Sequence, residues 1–246
     1  ARRQVRMPIL KELSGFVDEE LEQPSPNSVQ VEALQALQNT RAEGFSRGLV
    51  VLATGMGKTW LAAFDALQLG AKRVLFVAHR EEILLQAQAV FNRLHHNAHT
   101  GLFQGSAKEH DADFVFASVQ SLAKPEALER FSHEHFDYIV VDEFHHASAP
   151  SYRSILQHFN PRFLLGLTAT PERTDQADIL PLCDNNLVFE RNLVHGINEQ
   201  LLAPIHYYGI YDEFVDYQEI PWRSGRFDPE LIEFAFATKK RAQHIY

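Results

Sequence analysis

The chain has 246 residues, 45% hydrophobic and 22% charged, with a formal net charge of −9 at pH 7. That length suits one large α/β domain with attachments or two small domains, and the acidic balance excludes a broad basic surface that holds nucleic acid by charge alone. The single cysteine, Cys183, excludes an intramolecular disulfide framework and points to a reducing cytoplasm. No apolar run reaches the length of a membrane span, and there is no signal-peptide pattern. The start Ala1-Arg2-Arg3-Gln4 has no initiator Met, so we expect a cut made inside a longer protein.

In chain order, Ile9, Leu10, Leu13, Phe16, Val17 and Leu21 recur at helical spacing, which predicts a short amphipathic helix over 8–22. Pro24-Ser25-Pro26-Asn27 ends it and supplies N-cap residues for a second helix reaching about Ala42, with Val31, Leu34 and Leu37 on one face. Strands and helices then alternate. The expected strands are 48–52, 73–78, 113–117, 137–141 and 162–167, and the expected helices 58–69, 80–96 and 149–159, with a shorter one near 125–131. Runs such as Val74-Leu75-Phe76-Val77 and Tyr138-Ile139-Val140-Val141 are apolar on both faces, so the fold class is α/β with a buried, mostly parallel sheet flanked by helices. After about residue 186 the rhythm weakens. Residues 205–211 read as one more strand, 212–228 as irregular and 229–245 as helical.

In such a sheet ligands gather at the carboxyl ends of the strands, and the chemistry-bearing residues fall there. The apolar run Leu49 to Leu52 leads through Ala53-Thr54-Gly55-Met56-Gly57 into a helix opened by Lys58 and Thr59. Gly55 and Gly57 allow backbone N–H groups to close on phosphate oxygens. Lys58 can reach β- and γ-phosphates, the Thr59 hydroxyl can ligate Mg²⁺, and the helix N-terminus adds a partial positive charge. The full phosphate-loop pattern has a glycine where this chain has Leu52. Strand 137–141 ends in Asp142-Glu143-Phe144-His145-His146. Adjacent carboxylates at a buried strand tip call for a cation. Asp142 can hold Mg²⁺ through water, and Glu143 can deprotonate the water that attacks the γ-phosphate.

Strand 162–167 leads into Thr168-Ala169-Thr170, whose hydroxyls can accept a hydrogen bond from His145 and so link the nucleotide site to a second one. His79 and Arg80 end strand 73–78, and Ser118 and Gln120 follow strand 113–117. One cation with several uncharged donors suits contact with a phosphate backbone. The thirteen histidines raise a zinc reading, but no His-Glu-x-x-His unit or cysteine cluster accompanies them.

These tips together resemble the first RecA-like motor domain of a superfamily 2 helicase of the DExH kind. Motif I is similar to Ala53–Thr59, motif Ia to Val77-Ala78-His79-Arg80-Glu81-Glu82, the Ib region to Phe116–Leu122, motif II to Val141–Ala147 and motif III to Gly166–Arg173, in order. The wording "FVAHREEIL", "VDEFHHA" and "LLGLTATPERTD" resembles a bacterial restriction- and repair-related branch, whose members often carry a phospholipase-D-like nuclease domain before the motor.

The resemblance implies a RecA-like domain over 24–215, a helical extension over 1–23, and a linker with the truncated start of a second RecA-like domain over 216–246. It implies an ATP-dependent DNA helicase or translocase using ATP and Mg²⁺. Glu143, Lys58 and Asp142 would be catalytic. Gln30, Thr54, Gly55, Met56, Gly57, Lys58 and Thr59 would bind the nucleotide, with Gln30 on the adenine edge and Thr59 and Asp142 on Mg²⁺. His145, Thr168 and Thr170 would couple ATP state to nucleic acid held at His79, Arg80, Ser118 and Gln120. The expected partners are DNA in preference to RNA, the second motor domain and an attached nuclease domain, with no membrane.

The chain departs from the family in two ways. Asn27 stands where the family has an Arg three residues before Gln30, and motifs IV to VI do not occur. Those motifs carry the family's arginine fingers, groups worth about 10³–10⁵ in rate, so this chain alone is expected to turn ATP over poorly. Two rival readings stand beside this one. An RNA helicase of the same kind is disfavoured by His145, where DEAD-type enzymes have Asp. A RecA-like module that only docks partners is disfavoured by intact Lys58, Thr59, Asp142 and Glu143.

Overall fold

The structure is a computed structural model, and it describes residues 24–169, 179–204, 222–223, 226–227 and 231. The expected helix over 8–22, the strand over 205–211 and the helix over 229–245 lie outside those residues, as does Thr170. The chain divides into two compact units, Ala1–Ala203 and Pro204–Tyr246.

The first helix, α1 (Ser28–Ala42), starts where its sequence satisfies the free backbone donors. The Asn27 side chain accepts from Gln30 N at 2.9 Å, and the Gln30 side-chain oxygen accepts from Asn27 N at 2.9 Å. This capping box fixes the register of the helix. Val29, Ala33 and Leu37 therefore face the core, whereas Val31 is 52% exposed, so the buried face is not the expected Val31–Leu34–Leu37 stripe.

After α1 the chain alternates β1 (Arg47–Leu52), α2 (Lys58–Leu69), β2 (Val74–Ala78), α3 (Glu81–Leu94), β3 (Thr100–Gln104), β4 (Ala107–Lys108) and β5 (Phe114–Ser118). It continues through α4 (Val119–Leu122), α5 (Pro125–Leu128), β6 (Tyr138–Val141), α6 (Pro150–His158), β7 (Phe163–Thr168), β8 (Leu187–Arg191) and α7 (Leu193–Asn198). These eight strands form one sheet in the order β4-β3-β5-β2-β6-β7-β1-β8. Every pairing is parallel except β3 with β4. The expected α/β class is therefore what the chain forms.

The central strands β1, β2, β5, β6 and β7 bury both faces, as their unbroken apolar runs require, whereas β3, β4 and β8 toward the edges are only partly buried. Val50, Phe76, Phe116 and Leu165 pack with α1, α2 and α3. Val51, Val77, Val115 and Ile139 pack on the other side with Leu122, Phe136 and Ile155. One charged network sits inside this core. Asp65 of α2, fully buried, is held by the two terminal guanidinium nitrogens of Arg41, each at 2.9 Å, and by the Tyr138 hydroxyl at 2.8 Å. Burial still outweighs these partners and raises the Asp65 carboxyl above its ordinary value.

In the second unit, β9 (Trp222–Arg223) and β10 (Arg226–Phe227) pair antiparallel within the stretch expected to be irregular. Among the described residues no helix is long and apolar enough to cross a membrane.

Candidate active site

The strand order decides which tips meet. β1 has β7 and β8 as neighbours, and β6 lies beyond β7. The Asp142 tip is therefore one strand away from the phosphate loop. Thr168, opposite Val51 in β1, fills the interval, and Gly166 lies opposite Val141 in β6. β2 flanks β6 on the other side with Val77 opposite Val141, and β5 follows with Ser118 opposite Ala78. A single edge of the sheet thus carries the loop, Thr168, Asp142–Glu143, His79–Arg80 and Ser118 in that order.

Between β1 and α2 the backbone turns twice through the left-handed region, at Gly55 (φ 88°) and at Gly57 (φ 79°), which caps α2. A Cβ on Gly57 would lie 2.5 Å from Gln30 Nε2, so a side chain there would displace the Gln30 amide, and the left-handed φ itself favours glycine. Gln30, only 4% exposed, donates from Nε2 to the Gly57 carbonyl at 3.1 Å. Its placement against the loop follows from the same capping box that starts α1. Thr54 is exposed, and Thr59 is half-buried in the first turn of α2. Met56 buries its side chain, leaving its backbone to shape the loop, where its N–H donates to the Ala53 carbonyl at 3.2 Å. The Lys58 ammonium donates to the Leu52 carbonyl at 3.2 Å, which keeps it folded across the loop.

Asp142 prolongs the ladder past β6, its N–H donating to Val77 O at 2.9 Å. Asp142 is 6% exposed, and its carboxylate accepts from the Glu143 N–H at 2.9 Å. Burial pushes this carboxyl above its ordinary value; the Glu143 N–H opposes that, the Glu143 charge adds to it and Lys58 opposes it. A buried carboxylate so poorly compensated fits a site for a divalent cation. Glu143 itself adopts φ 50°, ψ 49°, a left-handed conformation that a residue with a Cβ rarely takes. A 3-10 turn over Phe144–His146 follows directly.

That turn is locked from below. Phe144 is fully buried, and a Cβ on Gly166 would lie 2.8 Å from its ring. The lock brings His145 to the expected partner. Its Nδ1 lies 3.2 Å from the Thr168 hydroxyl and 3.3 Å from the Glu143 carboxylate. A carboxylate only accepts, so the attractive arrangement puts the ring hydrogen on Nδ1.

His79 and Arg80 line an open cleft of ≈ 750 Å³ together with Glu143, His145 and His146. Burial, Arg80 and His146 lower the His79 pKa, against the smaller opposing effect of Glu143. Ser118 is nearly buried, and its hydroxyl caps α4 by accepting from Ser121 N at 3.3 Å, whereas Gln120 is exposed. A separate cavity of ≈ 450 Å³ opens near Arg47 and His133. There the Arg47 guanidinium donates to the carbonyls of Leu182 and Leu156, and the His158 ring is bound to Phe131 O, so these polar groups serve the fold.

Several contacts at the site carry no signature in the sequence. Leu202, beyond α7, packs on the loop, since a Cβ on Gly55 would lie 2.8 Å from its Cδ2. Arg191 closes β8 onto the loop through its carbonyl, which accepts from Ala53 N at 3.1 Å, and pairs with Glu32 of α1. The Phe144–Gly166 lock did leave a signal, a lone glycine inside an otherwise apolar strand, which marks close approach.

Residues 23–173, more than half of the chain, match the family described as type III restriction enzyme, res subunit. The chain belongs to that family. Two curated relatives extend the likeness of this res-family chain. IRC3 of Saccharomyces cerevisiae, which bears the name of an ATP-dependent helicase, is 30% identical over 197 residues, 73% of this chain and 28% of the yeast protein. The type I restriction enzyme EcoAI endonuclease subunit of Escherichia coli is 29% identical over 220 residues, 84% of this chain and 26% of that subunit. Among solved structures, a fragment from Vibrio vulnificus assigned to the HsdR subunit of a type I restriction enzyme is 27% identical with a TM-score of 0.52. That match covers 75% of this chain and 35% of the Vibrio one. The chain thus spans about a quarter to a third of the curated relatives it matches. The resemblance to a superfamily 2 motor domain of the restriction-related branch, read from five motifs, is borne out.

Proposed function

We propose that this chain is the ATP-binding first motor domain of an ATP-dependent DNA translocase or helicase acting in restriction, defence or repair in the cytoplasm. Residues 24–215 form that domain, and 216–246 lead into a second one that completes the site. The observation that carries the reading is the run of contacts from Thr168 through His145 to Glu143, one strand away from the phosphate loop. A docking module has no use for a strained carboxylate held at that place.

On this reading Gly55, Met56 and Gly57 offer backbone donors to the phosphates, and Lys58 leaves the Leu52 carbonyl for the β- and γ-phosphates. Gln30 holds the loop and meets the adenine edge. Thr59 and Asp142 hold Mg²⁺, which when bound neutralises phosphate charge. Glu143 accepts the proton of the attacking water, and His145, Thr168 and Thr170 report the state of the site to the track at His79, Arg80, Ser118 and Gln120. The restriction names borne by the family and the E. coli relative support DNA as that track.

The test uses the full-length protein. Glu143→Gln is expected to keep ATP–Mg²⁺-dependent thermal stabilisation while turnover falls about 10²–10⁴-fold, the usual worth of a positioned base. Retained turnover removes Glu143 from that role. Loss of the thermal shift in the wild type removes the nucleotide site altogether. Competition between duplex DNA, single-stranded DNA and RNA for the wild-type ATPase is expected to favour DNA, and preference for RNA reverses the choice of track.

A further inference from the structure

The second histidine of the motif II turn, His146, is exposed, and neither the phosphate loop nor the base role of Glu143 calls for it. Its neighbours nevertheless join two tips of the sheet. Its ring packs edge-to-face on His79, centroids 5.5 Å apart at 82°, and lies 4.1 Å from the ring of His145. On the far side Arg80 donates from Nε to His79 Nε2 at 3.1 Å, and His79 Nδ1 is buried without a hydrogen-bond partner. The His79 ring is therefore kept in place by Arg80 on one side and His146 on the other. At the near end, His145 Nδ1 stands between two acceptors at almost equal distance, Thr168 at 3.2 Å and Glu143 at 3.3 Å. One hydrogen shared between two acceptors can settle on either with a small turn of the ring. Settled on Thr168, it leaves the Glu143 carboxylate free to take a proton; settled on Glu143, it occupies an oxygen the reaction needs.

We propose that His146 is a positioning residue that carries occupancy of Arg80 by a nucleic-acid phosphate to the Glu143 carboxylate, through His79 and His145. The inference rests on the function proposed above, because it needs a nucleic-acid track at Arg80. A phosphate that recruits the Arg80 guanidinium withdraws its hydrogen bond from His79. The His79 ring then turns against His146, and His146 moves the ring it overlaps. A contact chain transmits only if it biases an element with two arrangements, and here that element is the shared hydrogen of His145. The cleft of ≈ 750 Å³ bounded by Arg80, His79, His146 and Glu143 gives the phosphate access and the rings room to turn.

The experiment measures steady-state ATPase of the full-length protein with and without saturating duplex DNA, for the wild type, His146→Ala and His146→Phe. His146→Ala is expected to leave basal kcat, the KM for ATP and DNA affinity by fluorescence anisotropy unchanged. It should lower DNA stimulation about 3- to 30-fold, the range by which residues along such a route alter coupling. His146→Phe keeps a ring against both neighbours and is expected to restore most of the stimulation. Because His146 is exposed, both variants should melt with the wild type. Undiminished stimulation in His146→Ala overturns the inference alone. So does an equal fall in basal and stimulated rates, which marks a general support of the site. So does weakened DNA binding with full stimulation at saturation, which makes His146 a track contact. A wild type that DNA does not stimulate overturns the inference together with the function on which it rests.

Discussion

Gly166 has no side chain, and the Phe144 ring takes the space a methyl group would fill, 2.8 Å from a Cβ placed there. Both groups are fixed, the glycine by its ladder to β1 and β6 and the ring by complete burial. Gly166→Ala must therefore push the ring aside, and overpacking of this kind costs about 1–3 kcal/mol. Phe144 directly precedes His145, so the displacement falls on the residue that contacts both Thr168 and Glu143. We expect a lower midpoint in urea together with a loss of ATPase in the full-length protein beyond what the unfolded fraction explains. Wild-type turnover in a destabilised Gly166→Ala variant would show that the lock serves folding alone. The strain at Glu143 belongs to the same device. A left-handed residue followed by a 3-10 turn persists because the buried ring after it holds the backbone.

The helices and strands were legible where burial forced a pattern on the sequence and obscure where it did not. β2, β5, β6 and β7 bury every residue, and each was expected from its apolar run within a residue or so. β8 was missed because only Phe189 of its five residues is buried; it is an edge strand that earns its place by pairing with β1 rather than by its own hydrophobicity. β3 buries alternate residues of a short run after a histidine-rich turn, too little to register as a strand. At the site, the tips were readable because their residues are chemically distinctive, but the order of strands was not, since no local pattern says that β7 separates β1 from β6. The start of α1 shows how an element can carry function through its cap. Asn27→Ala removes the acceptor for Gln30 N and is expected to cost about 0.5–2 kcal/mol. Because Gln30 also holds the Gly57 carbonyl, the same change should raise the KM for ATP without a matching fall in kcat. A pure stability loss with unchanged KM would separate the cap from the loop.

Across the whole molecule, buried ionisable groups set opposite demands on pH. Burial raises Asp65 and Asp142 above the ordinary 3.8, so their contribution is full below that value and is lost as pH rises through their raised values. Histidines act the other way. His95 and His135 are half-buried, and burial lowers both below the ordinary 6.5. The folded chain keeps these rings neutral while the unfolded chain takes up protons at 6.5. Their contribution is therefore full above pH 6.5 and is lost as pH falls through the lowered values. His95 is the clearer case, because its Nε2 binds the Ala63 carbonyl at 3.0 Å while its ring packs 5.0 Å from Phe114 and 5.7 Å from Phe91. Charging that ring strips water from a cation in its half-buried site and sets it beside His96, and the Ala63 carbonyl only partly offsets this. Thermal melts are expected to be level from about pH 8 to 7 and to fall progressively below 6.5. His95→Gln can still donate an amide hydrogen to Ala63 but cannot titrate, so its curve should fall less steeply even if its melting temperature at pH 8 is lower. Parallel curves for the variant and the wild type would mean that His95 stays neutral, or is equally charged, in both the folded and unfolded chains throughout this range.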